Sequence, residues 1–121
     1  MGGCSCVYVG DYDQPSFSKQ IIRKAFKTHK CCECGRIIPI GEKYEVISGA
    51  WEGRFGTYKT CSDCLSIREE FFCEGFFFEQ MFEYLKEYLN ECDGEVPSGC
   101  LLSLTPDAMT RVCGMIDEIW Q

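Results

Sequence analysis

Two cysteine pairs, Cys31-Cys32-Glu33-Cys34 and Cys61-Ser62-Asp63-Cys64, stand 26 residues apart in this chain. Each C-x-x-C spacing brings two thiolates toward one ion, and two such pairs supply the four sulfur ligands of a tetrahedral zinc at about 2.3 Å. A site filled by four cysteines keeps no open position for chemistry. The expectation is therefore one structural Zn2+ held by Cys31, Cys34, Cys61 and Cys64. Cys32 lies between two ligands and could replace Cys31, but C-x-x-C followed by Gly35 fits better than C-x-C. His29 is the only histidine, and it is read as a ring packed beside the cysteines, with a contact to a ligand or substitution for one as the alternative. A metal-dependent nuclease needs histidines both to hold its metal and to act as general base, and one cannot fill both roles. A Cys–His pair of Cys32 and His29 would place the nucleophile beside a zinc site, where it is poorly suited to the task. No catalytic residues are predicted, and a metal- or thiol-dependent enzyme is the remote alternative.

The elements that must position these ligands can be read on either side of them. Gly35 after the second ligand lets the backbone turn its amides toward the sulfurs, as in a zinc knuckle. Lys43–Ser48 alternates and is rich in strand formers, 49–53 reads as a turn, and Arg54–Thr60 returns as a second strand. Leu65–Phe72 then has helical spacing, so Cys61 and Cys64 fall at a helix N-terminus, where the positive end favours thiolates. Upstream, residues 1–30 read as an N-terminal arm. Within it, Ile21, Ile22, Ala25 and Phe26 among the basic residues of Lys19–Lys30 suggest a short helical face.

Downstream, Phe78, Met81, Phe82, Leu85, Leu89 and Cys92 form one stripe of a helix over about 76–92, followed by a loop through Pro97, Ser98 and Gly99. Thr105 before Pro106 marks the start of a last helix with Met109, Val112, Cys113, Ile116, Ile119 and Trp120 on one face. The fold class is α+β: a zinc module over 31–73 and an acidic helical extension over 74–121, together one compact domain. Phe76, Phe77 and Phe78 exceed what one helix face can bury, which leaves an apolar interface or a dimer open.

Eleven cysteines in 121 residues is a density typical of secreted disulfide scaffolds. The sequence shows no basic flank and apolar run of a signal peptide, and the count is odd, so a reducing, cytoplasmic setting with metal-bound and free thiols is expected. Cys4 and Cys6 could join Cys73, or one of Cys92, Cys100 and Cys113, around a second ion or in a disulfide. Cys92 and Cys113 lie on apolar helical faces, where a buried free thiol is the ordinary outcome. There is no apolar run long enough to span a membrane.

The net charge of −7 conceals an asymmetry: residues 1–64 carry nine Lys and Arg against seven acids, and residues 65–121 carry three against twelve. Glu79, Glu83, Glu87 and Glu91 recur every four residues, placing like charges in a column that opposes the helix by about 0.2–0.5 kcal/mol per pair. Such a column either solubilises a helix or docks a basic partner, and a protein partner is the leading expectation. The alternative is nucleic-acid binding through Lys19–Lys30, with Trp51, Phe55 or Tyr58 stacking on a base, though the acidic second half weighs against it.

The order of knuckle, hairpin and helix resembles the treble-clef zinc-finger group. His29-Lys30-Cys31-Cys32-Glu33-Cys34-Gly35, Ile38–Glu45, Gly49-Ala50-Trp51 and Thr57–Cys64 are similar to small uncharacterised zinc-binding proteins of tailed bacteriophages and prophages, as are Cys4-Ser5-Cys6 and Asp11–Phe17. The resemblance covers about residues 4–70. It implies a treble-clef fold, a bound metal and a phage origin without a settled activity. Phage proteins that inhibit host defence or transcription often present aligned carboxylates that imitate phosphates, so the resemblance raises such a role for the acidic helical half, which itself departs from the family.

Overall fold

The computed structural model describes residues 17–51, 54–72 and 79–121. Its strands are β1 (Phe17–Lys24), β2 (His29–Lys30), β3 (Ile37–Ile38), β4 (Lys43–Trp51) and β5 (Arg54–Cys61). Its helices are α1 (Ser62–Phe71), α2 (Met81–Glu91), α3 (Ser98–Leu102) and α4 (Pro106–Trp120). The architecture is mixed α/β: an antiparallel sheet in the order β1-β4-β5, a small β2-β3 ribbon, and four helices among the described residues.

The expected hairpin is present and longer than its strand formers alone suggest, with β4 running through Trp51 and β5 through Cys61. Its register pairs Tyr44 with Cys61, so the second cysteine pair begins where the sheet ends and α1 starts.

The helical face expected over Lys19–Lys30 is instead strand. β1 pairs with β4 along its whole length, from Phe17 opposite Ala50 to Lys24 opposite Lys43. Two causes act together. As a helix, Lys19, Arg23 and Lys27 would repel at four-residue spacing. As a strand, the β-branched pair Ile21-Ile22 and every backbone group facing β4 find a place in the ladder. Phe17–Lys24 thus belongs to the sheet and not to an arm.

α2 begins at Met81, later than the expected 76, because Glu79 has a left-handed backbone (φ 69°) that a continuous helix cannot contain. Phe76, Phe77 and Phe78 lie outside the described residues. The rest of the stripe packs as its period requires: Met81, Leu85 and Leu89 are buried against Ile67 and Phe71 of α1 and Ala108, Val112 and Ile116 of α4, in one continuous core. The region expected to be loop around Pro97–Gly99 contains the short helix α3, which buries Cys100.

α4 starts as its sequence predicts. Thr105 Oγ1 accepts from the Ala108 amide at 3.3 Å, and Pro106 occupies the first turn. Trp120, placed by periodicity on the buried face, is 63% exposed, and its indole donates to the Asp93 carbonyl at 2.6 Å.

That bond closes the α2–α4 corner over Gly94, whose φ is +74°; a Cβ there would lie 2.9 Å from Trp120 Nε1 and 3.1 Å from Ile116 Cγ2. Gly94→Ala is therefore expected to cost about 1–3 kcal/mol in urea unfolding, from backbone strain and crowding together. A change below about 0.5 kcal/mol would mean that the corner yields freely.

Candidate metal centre

Cys31 and Cys34 sit on the turn between β2 and β3, and Cys61 and Cys64 at the β5–α1 junction. The turn is built by backbone bonds: Cys31 N–H donates to the Arg36 carbonyl at 2.9 Å and Gly35 N–H to the Cys31 carbonyl at 3.1 Å. Gly35 supplies the left-handed conformation (φ 78°) that this reversal requires. Cys32 N–H donates to the Lys59 carbonyl at 2.8 Å and fastens the turn to β5.

The four sulfurs lie within 4.8 Å of one another, with Cys34 Sγ and Cys61 Sγ 3.8 Å apart. A tetrahedron of sulfurs 2.3 Å from its centre has edges of about 3.8 Å, so the donor set fits a tetrahedral ion such as zinc. Backbone amides are aimed at the sulfurs as well. Glu33 N–H and Cys61 N–H each approach Cys31 Sγ at 3.4 Å, and Cys64 N–H approaches Cys61 Sγ at 3.5 Å from the first turn of α1. Such donors favour thiolate over thiol. No family model, no curated protein and no solved structure matches this chain.

Packed this closely, the thiols cannot all ionise without a cation. Hydrogen bonds from Cys61 and then Cys64 pull the Cys31 thiol well below its ordinary range. The Cys61 thiol is pushed up to about 12, first by its bond to Cys31, and Cys64 is driven up by its bonds to Cys31 and Cys61 and then by burial. A divalent ion takes the place of those protons. Zinc binds thiolates, so it must displace the protons that the pushed-up Cys61 and Cys64 thiols hold on to, and apparent affinity is expected to rise steeply with pH near neutrality, measured by competition with a zinc-binding dye. An affinity flat between pH 6 and 8 would contradict this.

Cys32 is no member of the cluster. Its thiol faces Thr60 Oγ1 at 3.7 Å and is pushed up to about 12, chiefly by burial. His29 does not join it either: its Nε2 lies 3.2 Å from the Tyr44 hydroxyl, with the two rings 4.9 Å apart. Partial burial and the charges of Lys59, Lys27 and Arg23 lower its pKa. Cys4, Cys6 and Cys73, the candidates for a second ion, lie outside the described residues. Cys92 and Cys113 are free, whereas Cys100 is disulfide-bonded. No helix among the described residues is long and apolar enough to cross a membrane.

The spacer residues of both pairs do work that their sequence context did not reveal. Glu33, between Cys31 and Cys34, reaches the start of α2, where its Oε2 accepts from Glu79 N–H at 2.9 Å and its Oε1 from Met81 N–H at 3.2 Å. It caps a helix 46 to 48 residues away in sequence. Asp63, between Cys61 and Cys64, accepts from Thr105 Oγ1 at 2.6 Å at the start of α4, and Ser66 Oγ receives the Thr105 amide at 3.3 Å. Asp63 also pairs with Arg36 at 3.0 Å, as does Glu42 at 2.6 Å, which ties the first cysteine turn to the second. Each pair of candidate ligands therefore holds one helix of the extension.

Glu33→Ala is expected to lower stability by about 1–3 kcal/mol while metal content stays unchanged, because two amides at the α2 start lose their acceptor. Loss of the metal in this variant would show that Glu33 serves the cluster and not the helix.

The acidic column is partly as expected. Glu83, Glu87 and Glu91 are exposed on α2, while Glu79, also exposed, precedes the helix. Beside them, Lys86, Leu89, Asn90, Met115, Glu118 and Ile119 line a shallow groove of about 310 Å³ between α2 and α4.

Proposed function

We propose that this chain is a non-enzymatic, zinc-organised interaction protein. In this reading the β2–β3 knuckle, the β4–β5 hairpin and α1 form a treble-clef module, Cys31, Cys34, Cys61 and Cys64 hold one Zn2+, and the ion orders the fold without taking part in a reaction. The observation that carries it is the convergence of four sulfurs within 4.8 Å, with backbone amides directed at two of them. A single histidine, held by Tyr44 away from the sulfurs, supports the absence of catalysis.

The partner in this proposal is a basic protein surface that docks on the exposed carboxylates of Glu83, Glu87 and Glu91 with Glu79 beside them. Exposed carboxylates in register attract cationic surfaces and raise the association rate, an effect that falls with salt. The test is a charge reversal, Glu83→Lys with Glu87→Lys, in a protein whose zinc content is measured in parallel. The expected result is one zinc per chain together with at least a tenfold weaker, less salt-sensitive association with a purified basic partner. Unchanged association at full zinc content would remove the docking role and leave the metal site standing.

A further inference from the structure

The sheet has two unlike faces. In an antiparallel ladder, directly opposite residues share a face and successive residues alternate. One face carries Glu45 and Thr60, and α1 reaches it through the ion pair of Arg68 with Glu45. The register places Lys19, Ile21 and Arg23 of β1, Tyr44, Val46 and Ser48 of β4, and Thr57, Lys59 and Cys61 of β5 on the other, where Tyr44, Val46 and Cys61 are buried and His29 packs on Tyr44, which leaves Lys19, Ile21, Arg23 and Thr57 exposed and Lys59 half-buried. No acidic residue stands on that second face within the paired register. Lys19, Arg23 and Lys27 are exposed and Lys59 half-buried, and none of the four has an ion-pair partner among the described residues.

From these positions we propose that the Lys19–Arg23–Lys59 face, with Lys27 and Phe26 in the bend that follows β1, is a binding surface for single-stranded nucleic acid. It rests on the zinc-organised fold proposed above, since Cys61 ends the same strand that carries Lys59, and it is independent of the acidic column. Three observations select this ligand. First, Lys19 and Arg23 are four residues apart on one strand, about 13 Å, with Lys59 two strands across. A lone phosphate cannot bridge that span, whereas a polymer with regularly spaced phosphates can. Second, Arg23 is oriented rather than loose: its Nε donates to the Tyr44 hydroxyl at 3.2 Å and its guanidinium stands 5.9 Å from the Tyr44 ring centre. That leaves its outer nitrogens for a phosphate.

Third, Phe26 is 87% exposed three residues beyond Arg23, beside the exposed Ile40 on the adjoining turn, where the Gly41 amide meets the Ala25 carbonyl. An unpaired base offers a planar partner for such a ring, which an acidic peptide and a paired duplex do not. The acidic balance of the whole chain does not oppose this, because α1, which leads into the acidic extension, reaches the sheet on its Glu45 face.

The experiment titrates zinc-loaded protein into a labelled oligothymidylate across a range of salt, with a polyglutamate of matched charge and a duplex as competitors, and counts zinc in every sample. The expected result is binding to the single strand that weakens with salt at a slope near −2, about −0.7 for each of three neutralised phosphates. Lys19→Gln with Lys59→Gln should flatten that slope by about 1.4 at unchanged zinc content. Phe26→Ala should weaken binding about fivefold or more at an unchanged slope. Glu83→Gln with Glu87→Gln should leave binding no weaker. No binding of the zinc-loaded protein at low salt, or equally effective competition by polyglutamate or duplex, would overturn the proposal. A chain that lacks zinc and fails to fold would instead count against the metal reading.

Discussion

Removal of zinc is expected to abolish the folded state of the cysteine-bearing module and to loosen the helices anchored on it. Structural zinc contributes about 10–16 kcal/mol of apparent binding free energy at neutral pH, and a domain of this size is stable by about 5–15 kcal/mol in total. The metal term is therefore as large as the whole net stability. Cys61→Ser should reproduce the effect of a chelator: it removes the candidate ligand that receives the Cys64 amide, lies 3.8 Å from Cys34 Sγ and joins β5 to α1. Cys32→Ser should retain the metal, because Cys32 faces Thr60 and stands apart from the four converging sulfurs. Circular dichroism and zinc content, measured on both variants, separate the two outcomes. Equal zinc retention in Cys61→Ser and Cys32→Ser would refute the ligand assignment.

Unfolding is also expected to spread beyond the ligands. Glu33 and Asp63, each inside a C-x-x-C pair, bind the starts of α2 and α4. Loss of the turn that orients Glu33 exposes the Glu79 and Met81 amides, and loss of the α1 start displaces the Asp63 acceptor of Thr105. Signals from Trp120, at the far end of α4, should therefore respond to the chelator even though Trp120 touches no candidate ligand.

Glu45→Ala is expected to be the second most damaging substitution, at about 3–5 kcal/mol. Glu45 is wholly buried, pairs with the buried guanidinium of Arg68 and accepts from Gln20 Nε2, and so links β1, β4 and α1. Its Oε1 has no hydrogen-bond partner among the described residues, so the pair already bears part of its desolvation cost. Truncation takes the carboxylate from a guanidinium that stays buried. Replacement of both residues by apolar side chains, Glu45→Met with Arg68→Leu, removes both charges at once and should be milder than Glu45→Ala alone. Urea denaturation of the two proteins tests this ordering. A Glu45→Ala protein within about 0.5 kcal/mol of the parent would show that the charge of Arg68 is compensated without Glu45.

The parts of the fold that could be read in the sequence are those set by local chemistry. The C-x-x-C spacings and Gly35 anticipate the turn that brings Cys31 and Cys34 to the cluster, alternation anticipates β4 and β5, and Thr105-Pro106 anticipates the start of α4 to the residue. β1 could not be read, because its pairing partners lie 19 to 33 residues downstream, and only that pairing outweighs the helical appearance of its isoleucines. The late start of α2 has a similar origin, since the acceptor of its first amides is Glu33, 46 to 48 residues upstream. The charge of Glu33 and Asp63 was visible, but an acid between two zinc ligands reads as solvated surface until the chain brings a helix start to it. The segregation of basic and acidic faces was half visible: the sequence separates the charges along the chain, and only the register shows that one face of the sheet holds no acid.

Native mass spectrometry of the purified chain, with and without a strong chelator, tests the central claim most directly. The account predicts one zinc per chain before treatment, none after it, and a shift from the narrow charge-state distribution of a folded protein to a broad one as the ion leaves. A metal-free chain that keeps the narrow distribution would contradict it.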